Sequence, residues 1–167
     1  MKLHYFAYGS NMSIARLRSR VPSARSLGCC RLEEHDLRFH KAGRDGSAKC
    51  DALHTGRKQD LVHGVLFRID ALERPALDMA EGLGHGYGDK AVTVIGSQGE
   101  HVAAFTYEAL LIDETMRPFS WYLNHVLIGA RESHLPREYI ARIEAVSCIE
   151  DHDREREARE RAIHGSA

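Results

Sequence analysis

Between Arg25 and Ile69 the chain runs through strand-like segments at about 26 to 32, 37 to 40, 51 to 55 and 61 to 69, separated only by polar or glycine-bearing turns such as Ala42-Gly43-Arg44-Asp45-Gly46. Adjacent parallel strands need a crossover of about a dozen residues or more, which these turns do not supply. The segment therefore predicts an antiparallel or mixed sheet, of a kind that can close into a barrel. Two more strands, at about 90 to 96 and 101 to 109, form a hairpin across Gly96-Ser97-Gln98-Gly99. The opening Leu3-His4-Tyr5-Phe6-Ala7 is short, aromatic-rich and stopped by Gly9, and reads as a buried strand.

Helices are few. Ser13 caps a helix whose apolar positions Ile14, Leu17 and Val21 share one face. Asp70 and Glu73 have capping-box spacing, but Pro75 beyond the first turn would remove a hydrogen bond, which moves the expected start toward Glu73 in a helix ending at Ala80. Two more helices are expected, from Pro118 to about Glu132 and from Pro136 to about Val146. The run Gly82-Leu83-Gly84-His85-Gly86-Tyr87-Gly88 has glycine at every second position and reads as a loop. It does not match a dinucleotide fingerprint, and no phosphate-loop G-K-[ST] is present.

With 167 residues, 43% of them apolar, the chain can bury one core, and residues 1–148 are expected to form a single domain followed by a charged helix or tail over 149–167. That last segment pairs Glu155 with Arg159 and Glu157 with Arg161 at helical spacing but offers little apolar surface. Lys plus Arg is 23 against Asp plus Glu 24, so the basic excess expected of a nucleic-acid binder is missing. No stretch approaches the roughly 20 apolar residues of a membrane span, and the N-terminus turns polar too soon for a signal peptide. Cys29, Cys30, Cys50 and Cys148 show no metal-ligand spacing and H-E-x-x-H is absent, so a reduced, cytoplasmic chain without a metal is expected.

Two places invite chemistry. Tyr8-Gly9-Ser10-Asn11 joins a strand to a helix start, where backbone N–H groups can converge on an anion, although the same residues also suit an ordinary turn and cap. Glu81 sits at a helix C-terminus, where its charge opposes the macrodipole, so no local structural reason accounts for it beyond an exposed acidic residue. Tyr87 and Tyr139 suit either a pocket or the core, and Trp121 and Tyr122 read as packing residues. Ser10 lacks the G-x-S-x-G context of a hydrolase nucleophile.

Tyr5-Phe6-Ala7-Tyr8-Gly9-Ser10-Asn11-Met12 resembles the opening signature of the γ-glutamylcyclotransferase family. Leu77-Asp78-Met79-Ala80-Glu81-Gly82 is similar to the segment that carries that family's catalytic glutamate, and Gly129 to Tyr139 resembles its G-A-x-E-x-x-L-P-x-x-Y block, all in family order. The resemblance implies an α+β fold, a compact mixed β-barrel with flanking helices. It also implies cyclisation of a γ-glutamyl compound to 5-oxoproline with release of the amine, without metal or cofactor. Glu81 is then the catalytic residue, and Tyr5, Phe6, Ala7, Tyr8, Gly9, Ser10, Asn11, Tyr87 and Tyr139 bind substrate. The Tyr8-Gly9-Ser10-Asn11 loop resembles the general branch, which favours γ-glutamyl amino acids, while a natural-product substrate stays open. The expected partner is that small molecule, with homodimerisation left open.

In physical terms the α-ammonium must lose a proton and its nitrogen must reach the γ-carbonyl, a closure that orientation can favour by effective molarities of about 10⁵ to 10⁸ M. Burial that raises the pKa of Glu81 toward about 6 to 7 would suit it to take that proton and later deliver it. Backbone N–H groups near Tyr8, Gly9 and Ser10 would hold the carboxylate or oxyanion, and Tyr5 and Tyr139 would orient the glutamyl moiety. The alternative is a noncatalytic protein that keeps the same cavity for a small ligand.

Overall fold

The computed structural model describes residues 1–165. In chain order the elements are β1 (Lys2–Ala7), α1 (Ile14–Arg20), β2 (Arg25–Glu33), β3 (His35–Ala42), β4 (Ala48–His54), β5 (Leu61–Asp70), α2 (Arg74–Glu81), β6 (Tyr87–Gly96), β7 (His101–Ala109), α3 (Ser120–Glu132), α4 (Arg137–Glu144) and α5 (Arg154–Ala162). Short 3-10 turns at Ser10–Met12 and Ala71–Glu73 precede α1 and α2. The segments expected from the turn residues are present, with β3 and β4 joined across the Gly43 to Gly46 turn.

Strands β1, β5, β2, β6 and β7 close a barrel in that order, while β3 and β4 form a separate ribbon. Every barrel pairing is antiparallel except the closing one, where β1 runs parallel to β7 with Tyr5 opposite Phe105. The barrel is therefore mixed, and closure removes the exposed edges that an open sheet would present. Phe6, Val62, Val65, Phe67, Ile69 and Val94 fill the core with almost no exposure, joined by Met12 and Leu17 from the loop and α1. Strand β5 comes close enough to β1 that a side-chain carbon on Gly64 would lie 2.4 Å from the Ala7 carbonyl oxygen, so only glycine fits there.

Local chemistry explains the helix limits. Ser13 accepts from the Arg16 N–H at the start of α1, and Asp70 accepts from Leu72 N–H before α2. Pro75 lies in the first turn of α2, where its missing donor costs nothing, and Gly82 ends the helix in the left-handed conformation with φ 67°. The glycine run departs from expectation at its end, because β6 already begins at Tyr87, which pairs with Ala109, while Gly88 pairs with Glu108. The Tyr87 hydroxyl donates to the Cys50 carbonyl at 2.6 Å, an anchor that offsets the entropy lost by ordering Gly88.

The Gly129 to Glu132 segment of α3 holds the other end of the loop. Glu132 accepts from the Ile14 N–H at 2.7 Å, satisfying an otherwise unpaired donor of α1. Gly129 packs so closely on the Met12–Ser13 backbone that an added side-chain carbon would stand 2.4 Å from Ser13 nitrogen. The charged C-terminal segment returns to α3: buried Asp151 accepts from Trp121 Nε1 at 2.8 Å and from Arg156, and α5 follows. No helix among the described residues is long and apolar enough to cross a membrane.

Replacing a mid-helix glycine by alanine ordinarily stabilises a helix by about 1 kcal/mol. Gly129→Ala should do the reverse, lowering the unfolding free energy by about 1 to 3 kcal/mol through overpacking, as read from denaturant titrations. A gain in stability would show that the α3 contact on the loop yields easily.

Candidate active site

Where β1 ends, the chain turns at Gly9 and passes into the 3-10 turn. Gly9 is confined by the ribbon: an added side-chain carbon would lie 3.0 Å from Cys50 Cβ and 3.3 Å from the Tyr122 hydroxyl. Met12 N–H donates to Gly9 oxygen and Ser13 N–H to Ser10 oxygen, whereas the N–H groups of Gly9, Ser10 and Asn11 donate to none of the described residues. Three successive unused donors at one turn form a cradle suited to an oxyanion or carboxylate.

Glu81, the last residue of α2, faces this loop with its side chain 15% exposed. Its Oε1 accepts from Asn11 Nδ2 at 2.8 Å and from Arg20 at 2.8 Å, while Arg20 also donates to Asn11 Oδ1 at 3.0 Å. Asn11 Nδ2 reaches the Tyr5 hydroxyl at 3.0 Å as well, which assigns the orientation of the amide. The arginine answers the unfavourable position of a carboxylate at a helix C-terminus. It also leaves Glu81 Oε2 without a hydrogen-bond partner among the described residues, so one oxygen is anchored and the other is available.

A small cavity lies between Glu81 and the loop, walled by Tyr5, Tyr8, Tyr87, Tyr107 and Tyr122, with Cys50 and Gly9 to Asn11 completing it. The phenols are held in place: Tyr8 donates to the Tyr107 carbonyl at 2.5 Å, Tyr107 to Asp78 at 2.5 Å, and Tyr122 accepts from Cys50 N–H at 2.9 Å. Burial pushes all of these phenols well above the usual tyrosine range, so they remain neutral. The chamber is polar but uncharged apart from Glu81.

Of the residues singled out from the sequence, Tyr5, Tyr8, Gly9, Ser10, Asn11, Glu81 and Tyr87 meet at this cavity. Phe6 and Ala7 are buried in the core behind it. Tyr139, on α4, packs edge-on against His63 with ring centroids 4.9 Å apart and is not in the cavity wall. Arg20, Cys50, Tyr107 and Tyr122 were not anticipated, because their signal is tertiary. Tyr122 looks like one more packing aromatic on α3 until its hydroxyl is seen to meet β4.

The AIG2-like family matches residues 61–143. The γ-glutamylcyclotransferase of Bos taurus is 30% identical over 149 residues, covering 85% of this chain and 77% of the relative. The chain belongs to the γ-glutamylcyclotransferase family. The Homo sapiens γ-glutamylcyclotransferase matches at the same identity and coverage. A solved γ-glutamyl cyclotransferase structure superposes with a TM-score of 0.85 at 24% identity, over 96% of this chain and 99% of that one, so the family fold is shared.

Behind the loop, this family member carries a buried network contributed by its C-terminal helix. Arg16 donates to Ser10 Oγ at 3.1 Å and pairs with Glu160 of α5. His125, fully buried on α3, directs Nε2–H to the same Glu160 oxygen at 2.8 Å, which leaves Nδ1 to accept from His164. Burial, aided by the charge of Arg16, lowers the His125 pKa to about 4. Burial opposes ionisation of Glu160, but hydrogen bonding from His125 and the charge of Arg16 bring its carboxyl down to about 2.

Both shifts have the same consequence. An unfolded histidine takes up a proton near pH 6.5, whereas folded His125 refuses it until about pH 4, so stability is lost as pH falls through that window. Glu160 adds a further loss from about pH 4.5 downward. The denaturation midpoint should therefore drop steadily below about pH 6.5, and His125→Gln should flatten the upper part of that fall. An unchanged profile in the variant would remove His125 from the account.

Proposed function

We propose that this chain cyclises the γ-glutamyl moiety of a small γ-glutamyl compound, releasing 5-oxoproline and the free amine, with no cofactor and no nucleic-acid partner. The observation that carries the reading is the split role of the Glu81 carboxylate, with Oε1 pinned by Asn11 and Arg20 and Oε2 free beside a cradle of unused N–H donors. A base that must accept and return a proton needs this combination of fixed position and open oxygen.

The α-ammonium of the substrate gives a proton to Oε2. Its nitrogen then attacks the γ-carbonyl carbon, forming the ring C–N bond, and the carbonyl electrons move onto oxygen, which the N–H groups of Gly9 to Asn11 stabilise. Glu81 returns its proton to the departing nitrogen as the amide C–N bond breaks. The surplus proton on the ring nitrogen follows by the same route, so the amine leaves as an ammonium and 5-oxoproline retains one N–H. The neutral tyrosine walls keep the glutamyl chain folded on itself, the orientation on which closure depends.

The test is quantification of 5-oxoproline from γ-glutamyl amino acids, glutathione and γ-glutamyl amines, with wild type beside Glu81→Gln. The glutamine oxygen can still accept from Asn11 and Arg20, so fold and ligand binding should persist, while kcat falls by about 10²- to 10⁴-fold. Near-normal turnover in the variant would exclude Glu81 as the proton carrier. Saturable binding without product from any of these compounds in wild type would favour a noncatalytic binding protein.

A further inference from the structure

Glu81 stands between two compartments. On one side is the tyrosine chamber, and on the other a trough that Glu81 and Tyr87 share with Arg16, Arg20, Lys41 and Lys49. The charges of this trough are matched with one exception. Arg16 pairs with Glu160, Arg20 with Glu81, and Lys49 with Asp45 at 2.8 Å. Lys41, only 8% exposed, has no carboxylate within ion-pair distance and no hydrogen-bond acceptor among the described residues. Its ammonium rests over the face of the Tyr87 ring, 4.6 Å from the centroid.

The ammonium itself still reaches water, so Lys41 presents to the trough a positive charge with no carboxylate at ion-pair distance, ready to meet an anion on a ligand. Its end lies in space that Gly86 leaves open. A side-chain carbon on Gly86 would lie 2.6 Å from Lys41 Nζ, and the Gly86 backbone does not occupy the left-handed region that holds Gly82 and Gly84. A side chain at Gly86 would therefore push aside the flexible end of Lys41 rather than any backbone. Lys41 borders the trough and not the tyrosine chamber, so an anion that it meets belongs to the part of a substrate lying outside the chamber.

We propose that Lys41 is a specificity-determining residue that receives a carboxylate borne by the leaving amine, so that the preferred substrates have an anionic rather than a neutral leaving group. This rests on the cyclotransferase reading above, in which the glutamyl moiety fills the chamber and the departing nitrogen points past Glu81 into the trough. The ammonium gains an ion pair on binding, and Tyr87, fixed through its hydroxyl to Cys50, keeps it aimed.

The experiment compares γ-glutamyl-alanine with γ-glutamyl-alaninamide, which differ only in the charge of the leaving group, in wild type, Lys41→Met, Lys41→Arg and Gly86→Ala. Wild type should favour the acid, and the acid-to-amide ratio of kcat/KM should fall by about 10- to 100-fold in Lys41→Met, mainly through KM. Lys41→Arg should retain most of the preference, and Gly86→Ala, which displaces the ammonium, should lose part of it. Equal processing of both compounds by wild type, or an unchanged ratio in Lys41→Met, overturns the proposal while leaving the cyclotransferase reading intact. If wild type forms no 5-oxoproline from either compound, that reading fails and the proposal fails with it.

Discussion

The paired contact of Asn11 and Arg20 with one oxygen of Glu81 joins the parts of this molecule that make up the candidate site. Asn11 belongs to the turn after β1, Arg20 to the last turn of α1 and Glu81 to the last turn of α2, so three separate elements end on one carboxylate. Without the arginine, an anionic side chain would face the negative end of its own helix in a half-buried place. With it, the carboxylate has a fixed orientation and the loop has a fixed distance from α2. Interior ion pairs contribute little net stability compared with apolar packing, but they do specify geometry, and geometry is what the proposed cyclisation demands.

Around that contact the fold is arranged in supporting layers. The barrel supplies rigid ends from which the Tyr8 to Asn11 loop departs, and the β3–β4 ribbon closes over the loop through Cys50. Helix α3 presses on the far side at Gly129, and α5 reaches in with Glu160 to hold Arg16, which in turn holds Ser10. The charged C-terminal segment thus contributes to the setting of the loop through one acidic side chain, despite offering almost no apolar surface of its own.

The trough beside the tyrosine chamber gives the site its electrostatic asymmetry. One side of Glu81 is neutral, walled by phenols that burial keeps protonated, and the other is lined with cations. A substrate spanning both sides would be read by shape within the chamber and by charge outside it. Lys41 and Gly86 come from segments about 45 residues apart that look unrelated in the sequence, yet the fold sets the end of Lys41 against Gly86.

Much of this was legible in the residues. Turn chemistry marked the strands, Ser13 and Gly82 marked helix ends, and Tyr5 to Met12 with Glu81 and the Gly129 block pointed to the family, because those features are local and short-range physics governs them. Barrel closure depended on β1 meeting β7, with Tyr5 opposite Phe105 far along the chain, a pairing that no local pattern encodes. The partners of Glu81 depended on the same closure: Arg20 reads as one more basic residue on an amphipathic helix, and Tyr122 as packing, until the barrel brings them to the loop. Tyr139 shows the converse, a tyrosine within a family block that tertiary packing directs toward His63 instead of the chamber. The sequence alone determined which residues could do chemistry; the folded chain decided which of them meet, because charge and hydrogen bonding act over a few ångströms while the residues involved lie tens of positions apart.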